Sequence, residues 1–329
     1  MSVAVLGEAL IDLIVGDDGA YRPHLGGSPY NVAIGLARQG VDVSYLSPLS
    51  DDAFGVQLAN SFRAEGVAVP VSRRSLWPTS LALVTIDDEG LPTYRLYREG
   101  IADKDTSFEE IEASIPVGLQ VFHTGSLAIT PSQLPKIRRL FALMHQRGVL
   151  VSIDINIRLR GSQDTKAYLA GVRSLLRDAD IVKASDEDLE ALQLHADPRT
   201  SAAIAYAEMG SGLLVFTEGR GGAILHTPQG VIQRQAYPIA RVEDTVGAGD
   251  TFHSAFLAKL LAAGPLATTL TELDPLLLGN ALDYACAAAA INVSRIGCSP
   301  PTRAEVQTFI NSAQRQYLGS EYLEYLGSE

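Results

Sequence analysis

Residues 244–250 read DTVGAGD, and a helix-like run, TFHSAFLAKLLAAG, follows at once. Val246 ends an extended approach, and Gly247, Ala248 and Gly249 leave the backbone bare and free to turn sharply. A helix that starts near Ala248 points its first N–H groups outward without internal partners, and its dipole adds partial positive charge there. That is an anion site suited to a phosphoryl group in transit. Asp250, in the first turn, is placed to meet an attacking hydroxyl as a base, and phosphoryl transfer asks for little early deprotonation, so a weak base suffices. A plainer reading exists for GAGD alone: Asp250 caps the helix and the glycines make a turn. The other segments decide between the two.

Several chemistries are absent from the chain. There is no GxxxxGK[ST] loop, no GxGxxG that opens a helix after a strand, no GxSxG and no His pair at metal spacing. His24, His123, His145, His195, His226 and His253 are scattered, and each reads as a surface or packed residue. The two cysteines, Cys286 and Cys298, suit a reducing compartment and make no metal cluster. The 26 basic and 38 acidic residues leave a net charge of −12 without a basic block, so nucleic acid and anionic membranes are not expected partners. No apolar stretch is expected to span a bilayer, and MSVAVLGEALIDLIVG reads as a first strand, so a soluble, cytoplasmic protein is expected.

The elements that position these residues follow a rhythm. The 329 residues, 47% of them apolar, suit one large α/β domain. Short Val- and Ile-rich runs at 2–7, 43–49, 121–125, 149–155, 180–185 and 213–219 predict strands. Helices are predicted at 28–40, 52–66, 131–148, near 164–178 and 199–210, and at about 248–263, 273–294 and 302–317. Such alternation predicts a mainly parallel sheet covered on both faces. Residues 81–100 break the rhythm: they alternate with period two around a DDEG turn and predict a hairpin. Residues 13–25 look similar, so the two segments are expected to form a small projecting sheet. The tail at 318–329 holds two copies of YLGSE and carries no assigned role.

Taken together, GGSPYNVAIGLARQG (26–40) and DTVGAGDTFHSAF (244–256) resemble the two signature segments of the PfkB, or ribokinase-like, sugar kinase family. KASDEDLEAL (183–192) and TEGRGGA (217–223) resemble further family segments in the expected order, so the resemblance covers the chain from Gly7 to about Gly297. It implies a single kinase domain over 1–329: a three-layer α/β/α, doubly wound, mainly parallel sheet with a small β-sheet lid over the sugar. The activity implied is ATP-dependent phosphorylation of a hydroxymethyl group on a small sugar, polyol or nucleoside, with Mg²⁺ and K⁺ as cofactors.

The resemblance also implies roles. Asp250 matches the catalytic base, and Gly247, Ala248 and Gly249 the anion hole. Asp12, Gly27 and Asn31 match sugar-binding positions, although Asp12 also reads as a solvated strand end and Asn31 as a helix cap. Thr217, Gly219 and Gly222 match the nucleotide-binding turn, and Lys183 and Ser185 contribute to the ATP site. Relatives often carry Asn-x-x-Glu where this chain has Ser185 and Asp188; Asp188 is expected to organise Mg²⁺ through water, and SDEDLE reads equally as a capping box. Asp244, Val246 and Gly297 fall where relatives bind a monovalent cation through carbonyls. Cys286 falls near the adenine position, and also reads as a small core residue.

Three segments lean toward the fructokinase branch: GEALID at the start, YRLYREGIAD (94–103) and DINIR (154–158). Arg98 is expected to cross from the lid to a sugar hydroxyl, or to be a surface hairpin charge. Asp154, Asn156 and Arg158 are expected at a strand C-terminus, where α/β folds place ligands. Two departures stand out. Tyr30 occupies a position where a small residue is common and is expected to crowd or stack on the sugar. Arg160 adds a charge that keeps the acidic 2-keto-3-deoxygluconate as an alternative substrate, beside ribose and tagatose. A catalytically silent sugar-binding regulator is the reading from another class. A lid with one face on the substrate leaves another to cover, so a homodimer through the lids is expected.

Overall fold

The computed structural model describes residues 2–16, 18–86, 92–159, 164–264 and 270–313. The DDEG turn, Arg160 and the tail at 318–329 lie outside the described residues. Strand β1 (Ser2–Val5) leads into β2 (Leu10–Val15) and β3 (Tyr21–Gly26), followed by α1 (Ser28–Arg38), β4 (Asp42–Tyr45) and α2 (Ala53–Ala64). The hairpin β5 (Ser80–Ile86) and β6 (Pro92–Tyr97) precedes α3 (Phe108–Ala113), β7 (Leu119–Gly125), α4 (Leu134–Gln146), β8 (Leu150–Asp154) and α5 (Thr165–Leu175). Then come β9 (Ile181–Ser185), α6 (Asp186–Leu192), α7 (Pro198–Met209), β10 (Leu213–Thr217), β11 (Ala223–Thr227) and β12 (Gly230–Arg234). The chain continues with α8 (Ala248–Ala262), α9 (Pro275–Val293) and a helix at 303–313.

Among the described residues, eight strands form the main sheet in the order β12-β11-β10-β9-β8-β7-β1-β4. It is parallel from β10 to β4, and β11 and β12 add an antiparallel edge. The alternation-based reading stops at 219 and misses this edge hairpin, because AILHT and GVIQR are short and flanked by glycines. Strand side chains alternate between two cores. Val3 and Val5 of β1 join α1, α2, α8 and α9 on one face, and Ala4 joins α4, α5 and α7 on the other. Burial on both faces explains why the strands read as continuous apolar runs.

Helix α9 corrects one expectation. Its 19 residues are long and apolar enough to cross a membrane by length and composition. Buried alanines run along it and pack on α8, as expected for a helix inside the core of a large sheet protein.

A second sheet, β3-β2-β5-β6, stands apart from the first. It is the predicted lid. Strands β2 and β3 pair antiparallel, as do β5 and β6, while β2 and β5 run parallel. One lid face packs down through Ile11, Leu13, Leu25 and Leu81 onto the α1–α2 side; the other carries Asp12. Asp52 joins lid to body: one carboxylate oxygen caps α2 at Gly55 N (2.7 Å) and accepts from Thr79 Oγ (2.7 Å), and the other accepts from Thr79 N (2.7 Å). Replacing Asp52 with Ala removes a helix cap and strands the Thr79 donors. Urea unfolding of Asp52→Ala is expected to show a loss of about 1–2 kcal/mol; an unchanged midpoint rejects the assignment.

Candidate active site

The bare loop is built as a helix mouth. Gly247 caps α8 at φ 71°, a conformation that suits glycine, and a Cβ there would lie 2.1 Å from Cys298 Sγ. No side chain caps the helix. Ala248 N donates back to Thr245 O (3.2 Å) and Thr251 N donates to Gly247 O (2.8 Å). The outward donors of the mouth are therefore the N–H groups of Gly249 and Asp250. Ala248 shapes the turn and is not one of those donors.

Asp250 is 7% exposed, and protein donors from the start of α1 hold both its oxygens. Ser28 Oγ donates to Oδ1 at 2.6 Å, and Asn31 Nδ2 donates to Oδ2 at 2.8 Å. Ser28 and Asn31 lie three apart on one helix face, so a single turn supplies both. The two helices approach closely because Gly35 has no Cβ: one there would stand 2.2 Å from Ser254 Oγ. Asn31 thus holds the acid directly, a contact that spacing alone does not reveal.

Beside this mouth stands Lys183, 4% exposed, its ammonium 3.1 and 3.0 Å from the two oxygens of Asp154. The residues face each other because β8 and β9 pair in the register Asp154↔Lys183. Burial pushes the Asp154 carboxyl up to about 6, while Lys183 pulls it back. Burial also works against the charge on Lys183, but Asp154, Asp188 and Asp250 outweigh it and hold the amine above its usual range. At neutral pH the pair is ionised. A Cβ on Gly249 would come 2.9 Å from the ammonium, so Lys183 sits against the bare face of the loop. A fixed cation next to free N–H groups is a cradle for a phosphoryl group.

The residues matched to the nucleotide site end neighbouring strands. Ser185 and Thr217 pair at the ends of β9 and β10. Gly219 and Gly222 hold positive φ in the turn to β11, where a Cβ on Gly222 would lie 2.1 Å from Arg234 O. Asp188 is a buried capping residue: one oxygen accepts from Ser185 N and Oγ (both 2.8 Å), the other from Ile157 N (2.7 Å). The capping-box reading holds, and both Asp188 oxygens already have protein donors. Cys286 is 5% exposed on α9, and burial pushes its thiol up to about 12. That is an inert core cysteine.

Two loops meet behind the mouth. Asp244 accepts from Val246 N and from Gly297 N, each at 2.9 Å. Asn292 donates to Val246 O (2.9 Å) and accepts from Ser299 N (2.8 Å). Asp244, Val246 and Gly297 are thus brought together, and Asn292, absent from the sequence reading, pins both loops. No group of three or more His, Cys, Asp or Glu side chains suited to a metal occurs among the described residues.

Of the residues expected to bind sugar, Asp12 sits on β2 and is pushed up to about 6 by burial, with His24 and Arg158 pulling it back. Gly26 leaves it room, since a Cβ there would lie 2.3 Å from Asp12 Oδ2. Gly27, at φ 106°, presses against Glu8 O. Asn156 holds φ 32° just past β8, and Arg158 is exposed beyond it. Two expectations change. Tyr30 does not crowd a sugar: it is 7% exposed, its hydroxyl bonds Ser61 Oγ (2.6 Å) and its ring packs on Phe62. Arg98 is instead buried in an ion pair with Asp103 (2.9 Å) and donates to Ser80 Oγ (2.8 Å).

Beneath the site lies a polar chain that the scattered histidines did not announce. His123 Nδ1, Ser152 Oγ and His253 Nε2 stand 3.1 and 2.8 Å apart, all fully buried. Burial and the nearby charge of Lys183 push His123 down to about 3 and His253 well below its usual range, so both rings stay neutral. Only tertiary contact unites residues 123, 152 and 253. Ser28, by contrast, had a signal: a hydroxyl one turn before Asn31.

A helix-mouth anion cradle, a held carboxylate and a lid acid define an α/β phosphotransferase with its site at the carboxyl ends of parallel strands. The pfkB family of carbohydrate kinases matches residues 1–305, and the chain belongs to that family. It is accordingly a phosphotransferase acting on a sugar hydroxyl. A fructokinase of Salmonella typhimurium is 33% identical over 84% of this chain and 89% of its own length. The crystal structure of the Xylella fastidiosa fructokinase with bound ATP superposes at TM-score 0.85, 28% identical, over 95% of this chain and 99% of that one. A double mutant of the Vibrio cholerae O395 fructokinase, with fructose, ADP and potassium bound, superposes at 0.80, 25% identical, over 94% and 97%.

Two measurements follow. Lys183→Met leaves the buried Asp154 without its partner, so the carboxyl either stays charged and unpaired or must take up a proton, and urea unfolding is expected to show a loss of about 3–5 kcal/mol. Adding Asp154→Leu should restore most of that stability without restoring activity. The second concerns Glu8, which burial pushes up to about 7 from 4.5, against the pull of Arg98. The folded state therefore holds this proton more tightly than the unfolded one, and its contribution to stability is lost as pH rises through about 7. Glu8→Gln should be more stable than the parent at pH 8, with the difference vanishing below pH 4.5; a pH-independent difference refutes the assignment.

Proposed function

We propose that the protein is an ATP-dependent fructokinase that moves the γ-phosphoryl group of ATP to a hydroxymethyl group of D-fructose. The observation that carries this reading is the Asp250 carboxylate at the mouth of α8, held by Ser28 and Asn31 beside Lys183. The relatives named above, fructokinases by name, support the choice of sugar.

In this reading Asp250 accepts the proton of the attacking hydroxyl. The hydrogen bonds from Ser28 and Asn31 fix the position of its oxygens, and a loose transition state asks little of the base. The N–H groups of Gly249 and Asp250, with the Lys183 ammonium, face the charge that spreads over the phosphoryl oxygens. Asp12 and the backbone at Gly27 bind sugar hydroxyls, with Asn156 and Arg158 across from them at the strand end. Thr217, Gly219, Gly222 and Ser185 line the nucleotide side. Among the described residues no cluster of His, Cys, Asp and Glu forms a protein cage for Mg²⁺, which fits an ion carried on the phosphates of the nucleotide and on water. Such an ion, when bound, neutralises charge on the β- and γ-phosphates. Loops 244–246 and 294–299, pinned by Asp244 and Asn292, are the place for K⁺.

The exposed Arg158, whose charge reaches Asp12, favours a second reading: 2-keto-3-deoxygluconate, whose carboxylate it would pair. A dimer through the lids rests on the part of the lid face opposite Asp12 that the α1–α2 side leaves uncovered, where Tyr21 and Tyr97 are 46% and 53% exposed. A second copy's lid covers that face.

Asp250→Ala is expected to lower kcat by about 10³-fold while the protein still folds, with some stability lost because the buried Ser28 and Asn31 lose their acceptor; wild-type turnover removes Asp250 as the base. A panel of fructose, 2-keto-3-deoxygluconate, ribose and tagatose ranks the substrates by kcat/KM, and a preference for the keto acid replaces the fructose reading. Light scattering that reports a monomer at assay concentration rules out the lid dimer.

A further inference from the structure

The chain crosses between body and lid four times, and all four crossings meet at one buried cluster. Glu8 lies on the way out from β1 to β2, and Gly27 lies on the way back from β3 to α1. Ser80 opens β5, and Arg98 follows the end of β6. Gly27 presses on the Glu8 carbonyl, where a Cβ would stand 2.7 Å away, and the Arg98 guanidinium bonds Ser80 Oγ. The same guanidinium lies 2.9 Å from Asp103 Oδ2, with side chains 9% and 4% exposed, and its charge reaches Glu8. Lys104 donates to the Arg98 carbonyl (3.1 Å) and closes the turn on the body side.

The cluster is polar, buried and incompletely paired. Glu8 Oε2 and both Asp103 oxygens lack an aligned hydrogen-bond donor, and the close Arg98 contact is electrostatic rather than a well-directed bond. All three side chains line a cavity of about 20 Å³. That is room for one water.

We propose that Arg98, Asp103 and Ser80, with Glu8 beneath them, form the hinge lock that sets the angle of the lid over the sugar. Arg98 is a positioning residue: it fixes the strands that carry Asp12 and does not itself contact the sugar. A buried guanidinium suits this task because it carries several donors on one fixed charge, and here its Nη1 alone reaches two elements, Asp103 of the body and Ser80 of the lid. A water in the cavity supplies donors that the acids lack. A charged joint gives the lid a few discrete arrangements, since any intermediate angle leaves a buried carboxylate unpaired.

The inference rests on the lid covering the sugar, and its test separates the two ideas. The isosteric Asp103→Asn variant removes the pairing charge at a distance from any sugar contact. It is expected to raise the KM for the best sugar of the panel roughly tenfold while kcat and the KM for ATP hold within about threefold. Arg98→Met should do the same, and the double variant should be no worse than the worse single one, because both break one lock. Hydrogen exchange without any substrate should show amides of β2 and β5 opening roughly tenfold faster, with β7–β9 unchanged. Ser80→Ala, a small change, should move both readouts in the same direction if Arg98→Met fails to fold. Wild-type KM and lid exchange in Asp103→Asn, beside a raised KM in Arg98→Met, overturn the proposal, since Arg98 then binds sugar itself. Faster exchange spread equally over the main sheet overturns it too. If no sugar in the panel is phosphorylated, the kinase reading fails, yet the exchange data still decide the hinge.

Discussion

The two hydrogen bonds that Ser28 and Asn31 give to Asp250 tie the first turn of α1 to the first turn of α8. Much of the site depends on that junction. It fixes the acid at a helix mouth whose own geometry offers no side-chain cap. It also sets the distance between the lid, which leads into α1 through Gly26 and Gly27, and the anion cradle. The junction is tight because Gly35 admits Ser254 and because Gly247 admits Cys298. A side chain at either glycine would push apart elements that must meet within hydrogen-bond reach.

Charge is managed by burial on each side of this junction. Asp12, Asp154 and Glu8 are all pushed up, to about 6, 6 and 7, because each is drawn out of water more strongly than its cationic neighbour compensates. Lys183 resists its own burial because three carboxylates surround it. The neutral His123–Ser152–His253 chain below adds polarity without adding charge, so the cation next to Gly249 keeps its field directed at the mouth. A low-dielectric floor strengthens that field relative to water. The lid and the cradle are thus linked electrostatically as well as by packing.

Parts of this were legible in the chain. The bare run Gly247–Gly249 before a helix named an anion site, and period-two alternation at 81–100 named the lid, because those patterns are local and backbone geometry follows from them directly. Tyr30 was misread because its position in the helix does not say which way the ring turns; Ser61 and Phe62 decide that. Arg98 was misread for a similar reason. A cation at a strand end can face solvent, sugar or a buried acid, and Asp103, five residues on, settles the matter only once the chain folds back.

The sequence by itself determined the helix mouth, the strand–helix rhythm, the lid hairpins and the kinase family, since each rests on residues that are neighbours in the chain or on ordered segments. Tertiary structure alone decided which donors hold Asp250, which acid pairs Lys183, that Ala248 turns its N–H back to Thr245, and that Arg98 pairs with Asp103. Those outcomes depend on side chains from distant strands sharing one buried volume. No local pattern specifies that, because desolvation and pairing arise only when the sheet and its helices close around them.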